Sequence, residues 1–165
     1  MNIFDFAMQM EKDGQAYYEE MASKAENAVL KNILVNLAQD EVKHYNIFKK
    51  FKEGDFSGAD QLAVETTVMT DAVNIFQQMA SAPVPIGFPE DIVEAWKKAQ
   101  EVEKKSEDFY REKATEADSD QMKAIINRIA DEEHKHWALI ENVLQFLSRP
   151  KQWLDDAEWN HLEEY

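Results

Sequence analysis

Glutamate, histidine and tyrosine residues recur in this chain in a pattern that could hold metal ions. A glutamate followed three residues later by a histidine occurs at Glu41 and His44, and again at Glu133 and His136. Upstream of each pair lies another glutamate, and a constant offset of 92 residues (103 − 11, 133 − 41) relates the two copies. An α-helix places residues i and i+3 on one face, so each pair can hold an ion from one side. The repeated frame contains six side chains of metal-ligand type, which are Glu11, Glu41, His44, Glu103, Glu133 and His136.

These six side chains fall on the apolar stripes of predicted helices, where charged groups are costly. Burying even one unpaired carboxylate costs several kcal/mol or shifts its pKa until it is neutral. Two divalent cations would balance the charge of four glutamates. A single Glu-x-x-His on a helix usually belongs to a solvated face. Two copies in register, each on an apolar stripe, favour a site for two metal ions.

Tyrosines accompany the upstream glutamates at matching positions, Tyr18 and Tyr110. Either could be an ordinary core aromatic, but we expect each hydroxyl to donate a hydrogen bond to a ligand carboxylate. His134 points away from the predicted site and is expected at the surface. Glu107 and Glu132 are expected on solvated helix faces.

Four helices must position these residues. Steps of three and four between apolar positions predict them. The first extends from near Asn2 to Lys24, the second from about Asn27 to Glu53 and the third from Pro89. The fourth starts after Asp118, which we expect to cap it together with Gln121, and it stops before Pro150. The 30 residues from Glu11 to Glu41 cross a turn near their midpoint, so both glutamates return to one level of a helical hairpin.

The predicted fold class is all-α, a four-helix bundle made of two helical hairpins. Residues 1–148 form the domain, and residues 54–88 are a long crossover that contains a helix from Asp60 to Met79. Residues 149–165 form a tail rich in aromatic residues. Because exposed aromatics are unfavourable, we expect the tail to dock on the bundle or on a second subunit.

Composition narrows the function further. The chain has 165 residues, a formal net charge of −15 and no cysteine. The absence of cysteine excludes disulfides, zinc–thiolate sites and iron–sulfur clusters, so electrons for any redox reaction must come from a separate partner. The negative charge disfavours nucleic acid and anionic membranes. Without a basic amino-terminal region or an apolar run of spanning length, we expect a cytoplasmic protein.

The doubled pattern of Glu-x6-Tyr and Glu-x-x-His resembles the di-iron domain of the rubrerythrin family, within the ferritin-like superfamily. The resemblance covers about residues 1–148 and implies a ferritin-like bundle with two iron ions. It also implies that Glu41 and Glu133 bridge the ions and that Glu11 and Glu103 are terminal ligands. The chain departs from classical rubrerythrins in two ways. Ser106 stands where they carry a further carboxylate ligand, and no cysteines are present for their rubredoxin domain.

The resemblance implies a di-iron oxidoreductase that reduces hydrogen peroxide or oxygen as a peroxidase active in oxidative stress. An external donor such as a rubredoxin-like protein would supply the electrons, and the protein is expected to be a homodimer. The alternatives are a ferritin-like ferroxidase or iron-storage protein, an oxygenase acting on an organic substrate, and a structural zinc site. The ligands suit iron or manganese, and affinity alone does not exclude zinc.

Overall fold

The structure is a computed structural model that describes residues 3–56 and 90–148, and these ranges contain four α-helices. They are α1 (Ile3–Lys24), α2 (Ala28–Lys52), α3 (Glu90–Thr115) and α4 (Asp120–Ser148). Helix α1 packs along α2, and α3 packs along α4. Two helical hairpins therefore form an all-α four-helix bundle, and the predicted fold class is confirmed.

Two apolar clusters fill the bundle on either side of its middle. The Trp96 cluster joins the end of α1, the start of α2, the start of α3 and the end of α4, and it includes Ala22, Leu30, Trp96 and Leu147. The Phe51 cluster lies at the opposite end of the bundle and includes Ala7, Phe51, Ala114 and Ile125. Helix α2 thus ends at the opposite end from the start of α3, which is the connectivity of a bundle with a long crossover.

Local signals fix several helix ends. The Asn27 side chain accepts hydrogen bonds from the backbone N–H groups of Val29 and Leu30, at 2.9 and 3.1 Å, and so caps α2. Gly54 has φ 73, a left-handed conformation that suits glycine and ends the helix. The first two residues, where we expected α1 to begin, lie outside the described residues.

The predicted cap of the fourth helix was wrong by one residue. Ser119, not Asp118, caps α4, because its Oγ accepts a hydrogen bond from the backbone N–H of Met122 at 3.1 Å. Both residue types are good helix caps, so the sequence did not discriminate between them.

Two further predictions fall largely or wholly outside the described residues. These are the crossover at 54–88, with its helix from Asp60 to Met79, and the docking of the tail at 149–165. Among the residues that the structure describes, no helix combines the length and the apolar character needed to cross a membrane.

Candidate metal centre

The six predicted ligands meet in the middle of the bundle, between the two apolar clusters. Each is at most 5% exposed, and His136 is fully buried. The helix stripes explain this depth: α1 contributes Glu11, α3 contributes Glu103, and α2 and α4 each contribute a Glu-x-x-His pair. The structure therefore brings together every residue that the sequence assigned to the site.

The six residues form two overlapping groups. In each group, one ligand atom per residue lies within 4.8 Å of the others. Glu11 and His44 belong to one group only, and Glu103 and His136 belong to the other. Both groups include Glu41 and Glu133. This geometry can hold two ions that share two carboxylates.

The His44 imidazole is oriented by a carboxylate on its far side. Its Nε2 atom lies 2.7 Å from Oε2 of Glu132, on the other hairpin. Its Nδ1 atom faces the cluster, at 2.8 Å from Oε1 of Glu133 and 3.4 Å from Oε2 of Glu11. A proton kept at Nε2 by the Glu132 carboxylate leaves the Nδ1 lone pair available to an ion.

His136 has the same arrangement. Its Nε2 atom lies 3.2 Å from Oδ2 of Asp40, which belongs to the first hairpin. Its Nδ1 atom lies 3.6 Å from Oε2 of Glu103 and 3.7 Å from Oε1 of Glu41. The two hairpins therefore exchange equivalent contacts, each orienting the histidine of the other.

Five ligand atoms that face the cluster are buried without a hydrogen-bond partner among the described residues, since with the histidine protons at Nε2 the short contacts of Nδ1 with carboxylate oxygens join two acceptors. They are Oε2 of Glu11, Nδ1 of His44, Oε2 of Glu103, Oε1 of Glu133 and Nδ1 of His136. Unpaired buried polar atoms are rare and costly in native proteins. Five of them within the two ligand groups fit bound cations, and their oxygen and imidazole donors suit iron or manganese.

The two tyrosines bond to the terminal glutamates across the bundle. The Tyr18 hydroxyl donates to Oε1 of Glu103, and the Tyr110 hydroxyl donates to Oε1 of Glu11. Burial and the adjacent carboxylates raise the pKa of both tyrosines well above its ordinary value. Both hydroxyls therefore keep their protons and act as donors, while the second oxygen of each glutamate is left to face the cluster.

Excess negative charge dominates the electrostatics of the site. Burial, then the neighbouring glutamates, raises the pKa of Glu41 and of Glu133 well above its ordinary value. Burial alone would lower the pKa of His136, but the Glu103 carboxylate and a hydrogen bond to Asp40 outweigh it and raise this pKa to about 10. All three raised pKa values show that the cluster favours bound positive charge. Protons or metal ions can supply that charge.

Two glutamates predicted to be solvated are buried instead. Glu132 is 6% exposed and orients His44, and Glu107 is 8% exposed, with its Oε2 at 3.1 Å from Nδ1 of His134. Their positions on the helices predicted exposure to solvent, but a neighbouring helix covers both side chains. His134 is at the surface as predicted, with its side chain 44% exposed.

Sequence reasoning also missed Asp40. Asp40 and Glu132 each stand immediately before the Glu of a Glu-x-x-His pair, at the same offset that relates the ligands. An acidic residue repeated at this position was the available signal.

Comparisons with known proteins agree with this geometry. The family model described as Rubrerythrin matches residues 2–141. Neither the curated proteins nor the solved structures gave a match. The family implies a di-iron centre of the ferritin-like type, and the buried glutamate and histidine groups could hold metal ions. With most of its length matched, the chain belongs to the rubrerythrin family.

Proposed function

We propose that this protein is a non-haem di-iron oxidoreductase that reduces hydrogen peroxide or dioxygen with electrons from an external donor. The observation that carries the proposal is the pair of overlapping ligand groups that share Glu41 and Glu133. Two ions at shared carboxylates can act on both oxygen atoms of one small oxidant.

The proposed ligands divide into two equivalent half-sites. Glu11 and His44 would hold one ion, Glu103 and His136 would hold the other, and Glu41 and Glu133 would contact both. Four carboxylates balance the charge of two divalent ions, which supports a buried site without other counter-ions. When bound, two ferrous ions would supply one electron each, and two protons and one hydrogen peroxide would become two waters.

The surrounding residues would maintain the ligands in their working protonation state. With ions bound, the carboxylates of Glu132 and Asp40 would hold a proton at Nε2 of His44 and His136 and leave each Nδ1 to an ion. Tyr18 and Tyr110 donate to one oxygen of Glu103 and Glu11 and fix the direction of the other. These bonds would orient the ligand atoms toward the ions.

The electron donor is proposed to be a separate protein such as a rubredoxin-like partner, because the chain has no cysteine with which to hold its own iron–sulfur centre. Cytoplasmic location and a homodimeric state remain predictions.

A ferritin-like ferroxidase or iron-storage protein is the second candidate, because the same ligands would oxidise ferrous iron. Storage requires a closed shell of many subunits, so the mass of the assembly in solution separates the two functions. A dimer excludes storage.

An oxygenase acting on an organic substrate is less well supported. Among the described residues, the cavity beside the carboxylates measures about 10 Å³, which is room for about one water molecule. A larger groove of about 760 Å³ lies at the end of the bundle beside Lys24, Asn27 and Ile92, and none of the six ligand candidates lines it.

Stopped-flow spectroscopy of the anaerobic protein, reconstituted with two ferrous ions per chain, tests the proposal. We expect hydrogen peroxide to oxidise the iron faster than air does, and a reduced rubredoxin to restore the ferrous state. If oxidation by peroxide is no faster than by air, the peroxidase proposal is wrong. Metal analysis of protein purified without added metal separates iron from manganese and from structural zinc.

A further inference from the structure

A narrow cavity leads to the ligand cluster between α1 and α3. The buried carboxylates of Glu41, Glu103 and Glu133 line it, and so do the apolar side chains of Met10 and Val102, which are more exposed. With a volume of about 10 Å³, it accommodates roughly one molecule of the size of water. The cavity therefore places a water-sized space beside the shared carboxylates.

Gly14 lines this cavity on α1 and lets the Glu41 carboxylate pack closely against the helix. A Cβ atom at this position would lie 3.0 Å from Oε2 and 3.2 Å from Cδ of Glu41. Glycine is a poor residue for a helix interior, and among the described residues Gly54 is the glycine with positive φ, so backbone conformation does not account for Gly14. The close approach of the Glu41 carboxylate to the α1 backbone does account for it.

Ser106 occupies the matching position on α3. It follows Glu103 by three residues, as Gly14 follows Glu11, and it is 7% exposed and lines the same cavity. Both hairpins therefore place a small residue next to the shared carboxylates. A larger side chain at position 106 would fill space in the cavity, and a side chain at position 14 would push the Glu41 carboxylate into it.

We propose that Gly14 and Ser106 set the size of the oxidant site, and that the gap between α1 and α3 is the entrance for a small uncharged molecule such as hydrogen peroxide or dioxygen. Met10 and Val102 at the entrance offer no oxygen ligands to a hydrated cation, and Val102 is 41% exposed. A neutral oxidant crosses such an apolar entrance at a lower cost of desolvation. The inference rests on the proposed function and names the position of its substrate.

Nitric oxide is a suitable probe, because it is small and uncharged and binds ferrous iron without turnover. The protein is loaded anaerobically with two ferrous ions per chain, and the rate of nitric oxide association is followed by its optical change. Three variants distinguish an effect of side-chain size from an effect of the hydroxyl group. Ser106→Val and its near-isostere Ser106→Thr fill the cavity, whereas Ser106→Ala removes only the hydroxyl. Ser23→Val, at an exposed position on α1, is the control for a β-branched residue in a helix.

We expect Ser106→Val and Ser106→Thr to bind nitric oxide at least tenfold more slowly than the wild type. Ser106→Ala, which enlarges the cavity, should bind it at least as fast as the wild type, and Ser23→Val should match the wild type. Iron content and the thermal transition, measured for every variant, show that the site and fold are intact. Ser106→Thr covers the case in which Ser106→Val does not fold, because its hydroxyl tolerates the polar surroundings better.

Wild-type rates in Ser106→Val and Ser106→Thr at full iron content would overturn the inference. So would a Ser106→Ala variant as slow as these two, since the hydroxyl and not the space would then be responsible, and so would a ferrous wild type that binds no nitric oxide. Failure of the proposed function is recognised separately, because it is judged by peroxide oxidation of the wild type and not by the ratio of nitric oxide rates.

Discussion

The imidazole Nε2 atom of His44 on α2 lies 2.7 Å from the carboxylate Oε2 atom of Glu132 on α4. The bond joins the two hairpins directly beside the proposed metal ligands, and the contact between His136 and Asp40 is its counterpart in the other half of the molecule. Each hairpin thus provides an ion-binding histidine and the carboxylate that orients the histidine of the other. The contacts that join the two hairpins therefore also orient the histidine ligands.

Replacing Glu132 by glutamine should weaken metal binding without removing a proposed ligand. The amide is a poorer acceptor than the carboxylate, so the proton at Nε2 of His44 is held less firmly and Nδ1 is a weaker donor to the ion. Substitutions of this kind typically reduce metal affinity about 10–100-fold. Competition with a coloured chelator measures the affinity, and Glu101→Gln, at an exposed position on α3, is the control. Unchanged affinity in Glu132→Gln would show that the contact does not tune the site.

Tyr18→Phe and Tyr110→Phe should destabilise the protein by similar amounts, because each removes the donor to a buried carboxylate oxygen. An acceptor left unpaired in the interior costs about 1–3 kcal/mol. Urea unfolding in the presence of a chelator measures the change, and Tyr45→Phe on the partly exposed face of α2 is the control. A loss in only one of the two variants would contradict the equivalence of the half-sites.

The stability of chelator-treated protein should fall as the pH rises. The folded-state pKa of His136 is about 10, above its ordinary value of 6.5, so its stabilising contribution is complete below pH 6.5 and is lost as the pH approaches 10. The raised pKa values of Glu41 and Glu133 also make the free energy of unfolding fall as the pH rises above about 4.5.

Bound metal should reverse this trend, because ions compete with protons for the same atoms and bind better as the pH rises. The increase in Tm on adding ferrous or manganous ions should therefore be larger at pH 8 than at pH 6. Differential scanning calorimetry measures both series. An increase in Tm that is independent of pH would indicate that the ions bind elsewhere.

Metal stoichiometry should distinguish shared from terminal ligands. Glu41 belongs to both ligand groups and Glu11 to one. We expect Glu11→Ala to retain about one ion per chain and Glu41→Ala to retain fewer, as measured by elemental analysis after gel filtration. Glu101→Ala should keep two. Equal losses in the Glu11 and Glu41 variants would contradict the assignment of Glu41 as a bridge.

The sequence predicted the helices and the six convergent residues well, for a clear physical reason. Each ligand candidate replaces an apolar residue on a stripe with helical period, and the repeat supplies an internal check on every position. The contacts that orient the two histidines were harder to predict, because Glu132 and Asp40 lie beside the apolar stripe and not on it. Whether such a position faces water depends on how closely a helix of the other hairpin approaches, which helical periodicity does not encode.

The prediction of the α4 cap failed for a different reason. Asp118 and Ser119 are both suitable cap residues, and only the folded backbone selects between them. The significance of Gly14 was also beyond the sequence. Its small size matters because of a distance to Glu41, on another helix.

The most direct test of the central claim is a crystal structure of the protein loaded with ferrous iron, with anomalous diffraction recorded on both sides of the iron absorption edge. We predict two iron peaks between the Trp96 and Phe51 clusters, both in contact with Glu41 and Glu133, and each bound by Nδ1 of one of His44 and His136. A map with no iron peak in this layer, or with iron bound elsewhere on the bundle, would contradict the account.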